Sequence, residues 1–165
     1  MMEVGRLASN AEDRSHFGAW AIVSSPLILG LDVLNSTLLD QVWPIISNKE
    51  AIAVNQAWNN HPGSRVNVTS TPPPPTDVDV WTKPLPNACA AVLAINTNAN
   101  TATGALTLDV NDFGFGPKNT CTISLRDVWK KEDAGTTKAS FSIGTLQPHD
   151  SWFGKLCCAA ADPAK

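Results

Sequence analysis

The chain has 165 residues, of which 43% are hydrophobic and 16% charged, so it holds enough apolar material for a core and does not have the composition of a long disordered segment. Lys and Arg number 12 against 15 Asp and Glu, and no basic run occurs, which argues against nucleic acid or an anionic membrane as the main partner. The longest apolar stretch, Trp20 to Leu31, is interrupted by Ser24, Ser25 and Pro26, so no transmembrane helix of roughly 20 apolar residues is predicted.

Residues 1–57 alternate predicted strands and helices. The predicted elements are, in chain order, a short strand over Met1–Gly5, a helix over Glu12–Ser24 with Asn10 as N-cap, a doubly buried strand over Leu27–Leu31, a helix capped by Ser36, and a third helix through Val54 that begins at a Ser47-Asn48-Lys49-Glu50 capping box. This rhythm is typical of the end of a parallel α/β system. Two such units are too few to close a sheet, and they leave an edge and helix faces without partners.

A composition change near residue 57 predicts a domain boundary. Residues 58–77 form a linker that includes four successive prolines, Pro72 to Pro75, which favour an extended, semi-rigid spacer. Residues 78–157 show a period of two and predict an antiparallel β-sandwich, and residues 158–165 a tail. The predicted strands are Val78–Trp81, Cys89–Asn96, Ala105–Val110, Thr120–Trp129, Ser140–Leu146 and Ser151–Leu156, with turn formers over Asn96–Gly104, Asn111–Asn119 and Asp133–Gly135 between them.

Two kinds of residue bear on the cellular compartment. Asn35 and Asn67 begin N-x-[ST] sequons, which are used only in the secretory pathway, although Glu3 and the acids near residue 12 rule out a secretory signal in this chain. The cysteines lack metal-ligand spacing, so no metal site is predicted. One disulfide between the vicinal pair and an earlier cysteine is an open alternative to four buried thiols, the residues concerned being Cys89, Cys121, Cys157 and Cys158.

Several collinear blocks resemble glycoside hydrolase family 27, the α-galactosidases and α-N-acetylgalactosaminidases. The first block runs from Arg14 to Asp32 and the second from Ser47 to Gln56. The blocks in the β-rich part are Val80-Trp81, Lys83-Pro84-Leu85, Ala91-Val92 with Asn96, Asp127-Val128-Trp129 and Pro148-His149. The chain departs from the family at Ala57, where an acid is usual, and at Asp150, where glycine is usual.

The resemblance implies an α+β fragment, the last two βα units of a (β/α)8 barrel followed by an antiparallel β-sandwich. In this family two catalytic aspartates lie on barrel strands four and six, and they would fall upstream of residue 1. The intact parent is implied to hydrolyse terminal α-D-galactosides with retention and without a cofactor, whereas this chain alone is expected to be inactive. Met1 aligns with a position that lines the galactose pocket. Asp32 follows a predicted barrel strand, so it is either a residue behind that pocket or a loop and N-cap acceptor.

The same resemblance implies a secreted, vacuolar or lysosomal parent. The expected partners are the galactoside, in the intact parent only, and either a second copy of the chain or the missing barrel portion. The alternative function is a non-catalytic β-sandwich module for carbohydrate binding or assembly, because Trp81, Trp129 and Trp152 could stack on sugars. Filling the sandwich interior is the favoured role for these three side chains. His16 is interpreted as a structural histidine between elements.

Overall fold

The computed structural model describes residues 1–70, 72–116 and 121–158. Within these residues three helices come first and eight strands follow. The helices are α1 (Asn10–Ile22), α2 (Ser36–Ile46) and α3 (Lys49–Gln56). The strands are β1 (Ser64–Arg65), β2 (Val78–Leu85), β3 (Cys89–Asn96), β4 (Leu106–Asp109), β5 (Ile123–Asp127), β6 (Glu132–Thr137), β7 (Ser140–Gly144) and β8 (Ser151–Cys158).

The strands form two antiparallel sheets. In the described part of the chain, six strands form the larger sheet in the order β1-β2-β3-β8-β5-β6, and β4 pairs with β7 in the smaller one. Apolar side chains from both sheets share one core cluster, which includes Val80, Val92, Leu108, Phe141 and Trp152. The antiparallel β-sandwich predicted from the period-two pattern is therefore confirmed.

Strand β3 is buried on both faces. Val92 and Ala94 belong to the core between the two sheets, whereas Ala91 and Leu93 belong to a second core that the helices cover. Helix α1 approaches this second face closely at Gly18, where an added Cβ would lie 2.9 Å from Leu93 Cδ1. The larger sheet is thus the middle layer of the molecule, with the smaller sheet on one side and the helices on the other.

The predicted strands of the first 57 residues are much shorter than expected. One isolated parallel bridge joins Met2 to Leu29, where the Met2 amide donates to Ile28 O at 2.7 Å and the Gly30 amide donates to Met2 O at 3.0 Å. The prediction that residues 27–31 are buried on both faces is wrong, since Ile28 and Leu29 are exposed. No neighbouring strand of the described chain covers them.

Each helix begins at a different cap from the one predicted. The observed N-caps are Ser9, Asn35 and Asn48, in place of Asn10, Ser36 and Ser47. At α3 the Asn48 Oδ1 atom accepts from the amides of Glu50 and Ala51, at 3.0 and 3.2 Å. The expected reciprocal bond from Glu50 does not form, because the Glu50 carboxylate is bound to Arg126 instead.

The strand predictions differ in accuracy. Strand β3 matches its predicted bounds, whereas β6 was not predicted, because its Asp133–Gly135 segment has the composition of a turn. The predicted strand start at Thr120 and the end of the preceding separator lie outside the described residues. Of the predicted tail, Cys158 ends β8 and residues 159–165 also lie outside the described part.

All four cysteines form disulfides. Cys89 and Cys157 are cross-strand partners at the end of the β3–β8 pairing, with Cα atoms 4.1 Å apart. Cys121, just before β5, is bonded to Cys158, with Cα atoms 5.6 Å apart. The vicinal cysteines therefore fix β8 to both of its neighbours, each bridge typically being worth about 2–4 kcal/mol of folding stability. Disulfides of this kind are typical of proteins from oxidising compartments.

Polar contacts fix α1 to the sandwich. Arg14 Nη2 donates to both carboxylate oxygens of Asp150 at 2.8 Å, and Ser15 Oγ donates to His149 O at 2.6 Å. Asp150, at which the sequence departs from the family that it resembles, therefore supplies the acid of a bidentate ion pair between α1 and the β-rich part of the molecule.

A fully buried lysine of the sheet binds the C-terminal end of α3. Lys83 of β2 has 0% of its surface exposed, and its Nζ donates to Val54 O at 2.5 Å and to Asn55 O at 3.2 Å. Those carbonyls lie in the last turn of α3, where a cation is favourable because of the helix dipole. Burial lowers the pKa of Lys83. The interaction therefore joins the central sheet directly to the end of α3.

Replacing Lys83 by methionine should lower the free energy of unfolding by about 2–4 kcal/mol, because the two carbonyls at the end of α3 would lose their donor while remaining buried. Urea unfolding followed by circular dichroism measures the change. Lys130→Met is the matched control, since Lys130 is largely exposed and its loss should cost less than about 0.5 kcal/mol. Equal stability of the two variants would contradict the assigned role.

Candidate functional site

The two residues predicted to lie near a sugar pocket are on the surface. Met1 has 73% of its surface exposed, and Asp32 is also exposed. Asp32 Oδ1 accepts from the Leu34 amide at 3.0 Å, and its carbonyl accepts from the Asn35 amide at 3.2 Å. Asp32 therefore stabilises the turn that leads into α2.

Apolar side chains crowd the same region. The side chains concerned lie on the two bridged segments and in the loop after them, and we call them the open edge: Met1, Ile28, Leu29, Val33 and Leu34. Leu34 is the most exposed of them, at 90%. Monomeric proteins seldom display contiguous apolar side chains in this way without a partner.

One residue of the open edge, Leu29, also has backbone groups without a partner in the described part of the chain. Because Met2 bonds to Ile28 and Gly30, the amide and carbonyl of Leu29 point away from Met2, as the alternation of a parallel pair requires. Among the described residues nothing bonds to either group. An unpaired strand edge beside exposed apolar side chains is a template for another strand.

Two side chains of α1 hold the first strand segment in position. His16 Nε2 accepts from the Glu3 amide at 3.0 Å, and Asp13 Oδ1 accepts from the Gly5 amide at 2.7 Å. Burial lowers the pKa of His16 and raises the pKa of Asp13. His16 was predicted to be structural and is so, as a backbone acceptor whose ring lies 5.8 Å from that of Trp20. The holding role of Asp13 was not predicted, because an acid in the first turn of a helix is ordinary.

A cleft of about 790 Å³ lies between α3 and the strands β5, β6 and β8, on the flank of α3 that faces away from α1. Arg126 crosses it and donates to both oxygens of Glu50, at 2.8 and 3.0 Å, and to Asp133 at 3.0 Å. This bonding lowers the pKa of Glu50. Neither Met1 nor Asp32 lines the cleft. The sequence carried no signal for it, since its walls come from five separate segments.

The three tryptophans of the predicted strands pack against two different apolar clusters. Trp152 lies in the core between the sheets, and Trp81 and Trp129 pack against the core under the helices. Trp129 lies 5.4 Å from the ring of Phe153, centroid to centroid, and its Nε1 donates to Ser151. The prediction that these side chains fill the sandwich interior is confirmed for Trp152 alone, because Trp81 and Trp129 are half-buried under the helices, outside the core between the sheets.

Within residues 1–70, 72–116 and 121–158, no three His, Cys, Asp or Glu side chains are grouped as metal ligands would be. The described helices also include none with the length and hydropathy needed to cross a bilayer.

Comparison with known proteins gives a consistent assignment. Residues 75–156 match the model of the α-galactosidase C-terminal β-sandwich domain. The chain is 30% identical over 151 residues to α-galactosidase 3 of Arabidopsis thaliana, a match that covers 91% of this chain and 32% of that protein. With the α-galactosidase of Coffea arabica it shares 32% identity over 152 residues, covering 92% of this chain and 37% of the coffee protein. The chain thus spans about a third of the length of these relatives.

Solved structures agree with the sequence matches. The crystal structure of α-galactosidase I from Mortierella vinacea superposes with a TM-score of 0.77 and 29% identity, covering 98% of this chain and 40% of that one. The α-galactosidase of Saccharomyces cerevisiae gives the same TM-score at 21% identity, over 96% of this chain and 46% of that one, which supports the fold alone.

Acidification should destabilise the chain through His16. The folded pKa of this histidine lies below its ordinary 6.5, so the unfolded chain binds the proton first and stability falls as the pH drops below about 6.5. The slope from one such group is at most about 1.4 kcal/mol per pH unit. Urea midpoints at pH 7.5 and 5.5 measure it. His16→Gln keeps a side-chain acceptor for the Glu3 amide without titrating, so its curve should be flatter; an unchanged pH dependence would contradict the assignment.

Proposed function

The chain belongs to glycoside hydrolase family 27, as the C-terminal part of an α-galactosidase, and from that premise we propose that it completes and supports the catalytic barrel of such an enzyme. Residues 1–57 would supply the last two βα units of the (β/α)8 barrel, and residues 78–157 the β-sandwich that supports them. Residues 58–77 would be the linker between the two, with β1 pairing to the sandwich at Ser64↔Thr82. The intact parent would cleave terminal α-linked galactose or N-acetylgalactosamine.

The observation that carries this proposal is the open edge. A barrel closes only when every strand has a neighbour on both sides. Leu29 has a bridged neighbour on one side, and on the other its amide and carbonyl have no partner among the described residues. The exposed side chains of Met1, Ile28 and Leu34 would be buried by the remaining strands and helices of the barrel. Each such burial is worth about 1.5–3 kcal/mol, so the completed barrel would be much more stable than the part.

The catalytic groups would come from outside this chain. Retaining glycoside hydrolysis requires two carboxyl groups about 5–5.5 Å apart, one as nucleophile and one as acid and base. The carboxylates near the open edge have other roles: Asp13 holds Gly5, and Asp32 holds the turn before α2. Met1 is proposed to line the sugar pocket only in the completed barrel.

The compartment and further partners are also proposed. Two disulfides and two sequons support a secreted, vacuolar or lysosomal parent. The galactoside would bind only to the intact enzyme. Of the two macromolecular partners considered, the remainder of the barrel is favoured over a second copy of the chain, because the open edge includes a strand edge and not only an apolar patch.

A chimera tests this function. In it, the present chain replaces the matching C-terminal region of the Coffea arabica α-galactosidase, and turnover of an aryl α-galactoside is measured. The chimera should be active, whereas the 165-residue chain alone should show no turnover. Leu34→Glu should lower chimera activity about tenfold or more, because it places an unpaired charge in the closed barrel.

Lys138→Glu is the matched control for Leu34→Glu, since Lys138 is exposed on the turn between β6 and β7, away from the open edge. It should change the activity by less than about twofold. An inactive chimera beside an active coffee enzyme, or turnover by the isolated chain, would overturn the proposal.

We also propose that Asn35 and Asn67 carry N-linked glycans. Both are exposed, and Thr69 of the second sequon is fixed by Asp112, which accepts from its amide at 2.9 Å and its hydroxyl at 2.6 Å. When the chain is secreted from yeast behind a leader, Asn35→Gln and Asn67→Gln should each remove one glycan, as the mass before and after glycosidase digestion measures. A wild-type chain of unchanged mass after digestion would contradict both assignments.

A further inference from the structure

We infer that another α-helix packs in the cleft beside α3, and that this helix is contributed by the part of the parent enzyme that lies outside this chain. The inference rests on the function proposed above but concerns a different surface from the open edge. It names the partner of that surface as an amphipathic helix with a small apolar stripe and an acidic side chain.

The shape of the cleft suits a helix. The wall formed by α3 consists of one stripe at helical spacing, and its members are Glu50, Ala53, Val54 and Ala57. At 1.5 Å per residue this stripe is about 10 Å long, or two turns. Leu85 and Pro86 extend the apolar wall beyond the end of α3. Small side chains along such a wall allow two helix axes to approach closely.

The other flank of α3 already has a helix against it. Asn55 Nδ2 donates to Trp20 O at 3.2 Å and to Ser25 O at 2.8 Å, which joins α3 to α1 and to the segment that follows α1. Helix α1 also contacts β3 and β8 of the same sheet face. The cleft continues this layer: it lies over β5 and β6, where no described helix covers the sheet. A second helix there would extend the existing helix layer by one member.

The charges of the cleft indicate an acidic partner. Arg126 is already bound by Glu50 and Asp133. Lys155 of β8 also lines the cleft, is exposed, and forms no ion pair with a described residue. A carboxylate on the incoming helix would pair with this lysine and become partly desolvated there, where a charge-assisted hydrogen bond is strongest. Among the described helices a second copy offers a poor match, because α1 and α3 are packed on the sheet and the exposed face of α2 carries the bulky Trp43 in place of a small apolar stripe.

Two measurements on the coffee chimera test the inference. Acetylation of lysines, followed by mass spectrometry, should find Lys155 at least about tenfold less reactive in the chimera than in the isolated chain. Lys138 is the internal control and should react equally in both. Ala53→Arg places a long side chain in the cleft without breaking α3, and it should lower chimera activity about tenfold. Thr107→Arg, at the exposed position of β4 in the opposite layer, is the matched control and should have little effect.

The outcomes separate this inference from the proposed function. An active chimera with Lys155 fully reactive and Ala53→Arg harmless would overturn the inference and leave the function standing. An inactive chimera would overturn both. Concentration-dependent dimerisation of the isolated chain that Ala53→Arg abolishes would assign the cleft to a second copy, and that result too would overturn a helix as its occupant.

Discussion

The structure depends on the burial of the helix-facing side of β3 and β8. Strand β3 lies in the middle of the larger sheet and is apolar on both faces, so the sandwich alone would leave one of its faces in water. Helices α1 and α3 cover that face, and the buried Lys83 ammonium fixes α3 to β2 at the last carbonyls of the helix. The β-sandwich and the helices therefore share a core, and neither is a complete folding unit by itself.

The same arrangement leaves the helices well packed on the side of the sandwich and partly exposed on the opposite side. Toward the sandwich, the helices are held by a shared core, the Arg14–Asp150 pair and the Glu50–Arg126 pair. On the opposite side, the amide and carbonyl of Leu29 have no partner within the described residues, and apolar side chains around them are exposed. This combination is what the proposed function expects, with the sandwich as a support and the first 57 residues as part of a barrel that further strands would complete.

The sequence predicted the strands and helices better than it predicted the contacts between them. Period-two alternation located β3, and helical spacing located α1, because both patterns follow from local burial. Strand β6 was missed, since its turn-like segment is stabilised by pairing with β5 rather than by its own propensity. Lys83, Asp150 and Arg126 could not be assigned their roles in joining the helices to the sandwich, because the helix residues that they bind are 28 or more positions away. The open edge could be anticipated from the incomplete strand–helix rhythm; the cleft could not.

Native-state hydrogen exchange on the isolated chain tests the shared core most directly. If α1 and the sandwich fold as one unit, the most protected amides of α1, around Ala21, and those of β8, around Phe153, should open with free energies that agree within about 1 kcal/mol and fall together in urea. Helix amides that exchange several kcal/mol more easily than those of β8 would mean that the helices are only loosely attached, and would contradict the account.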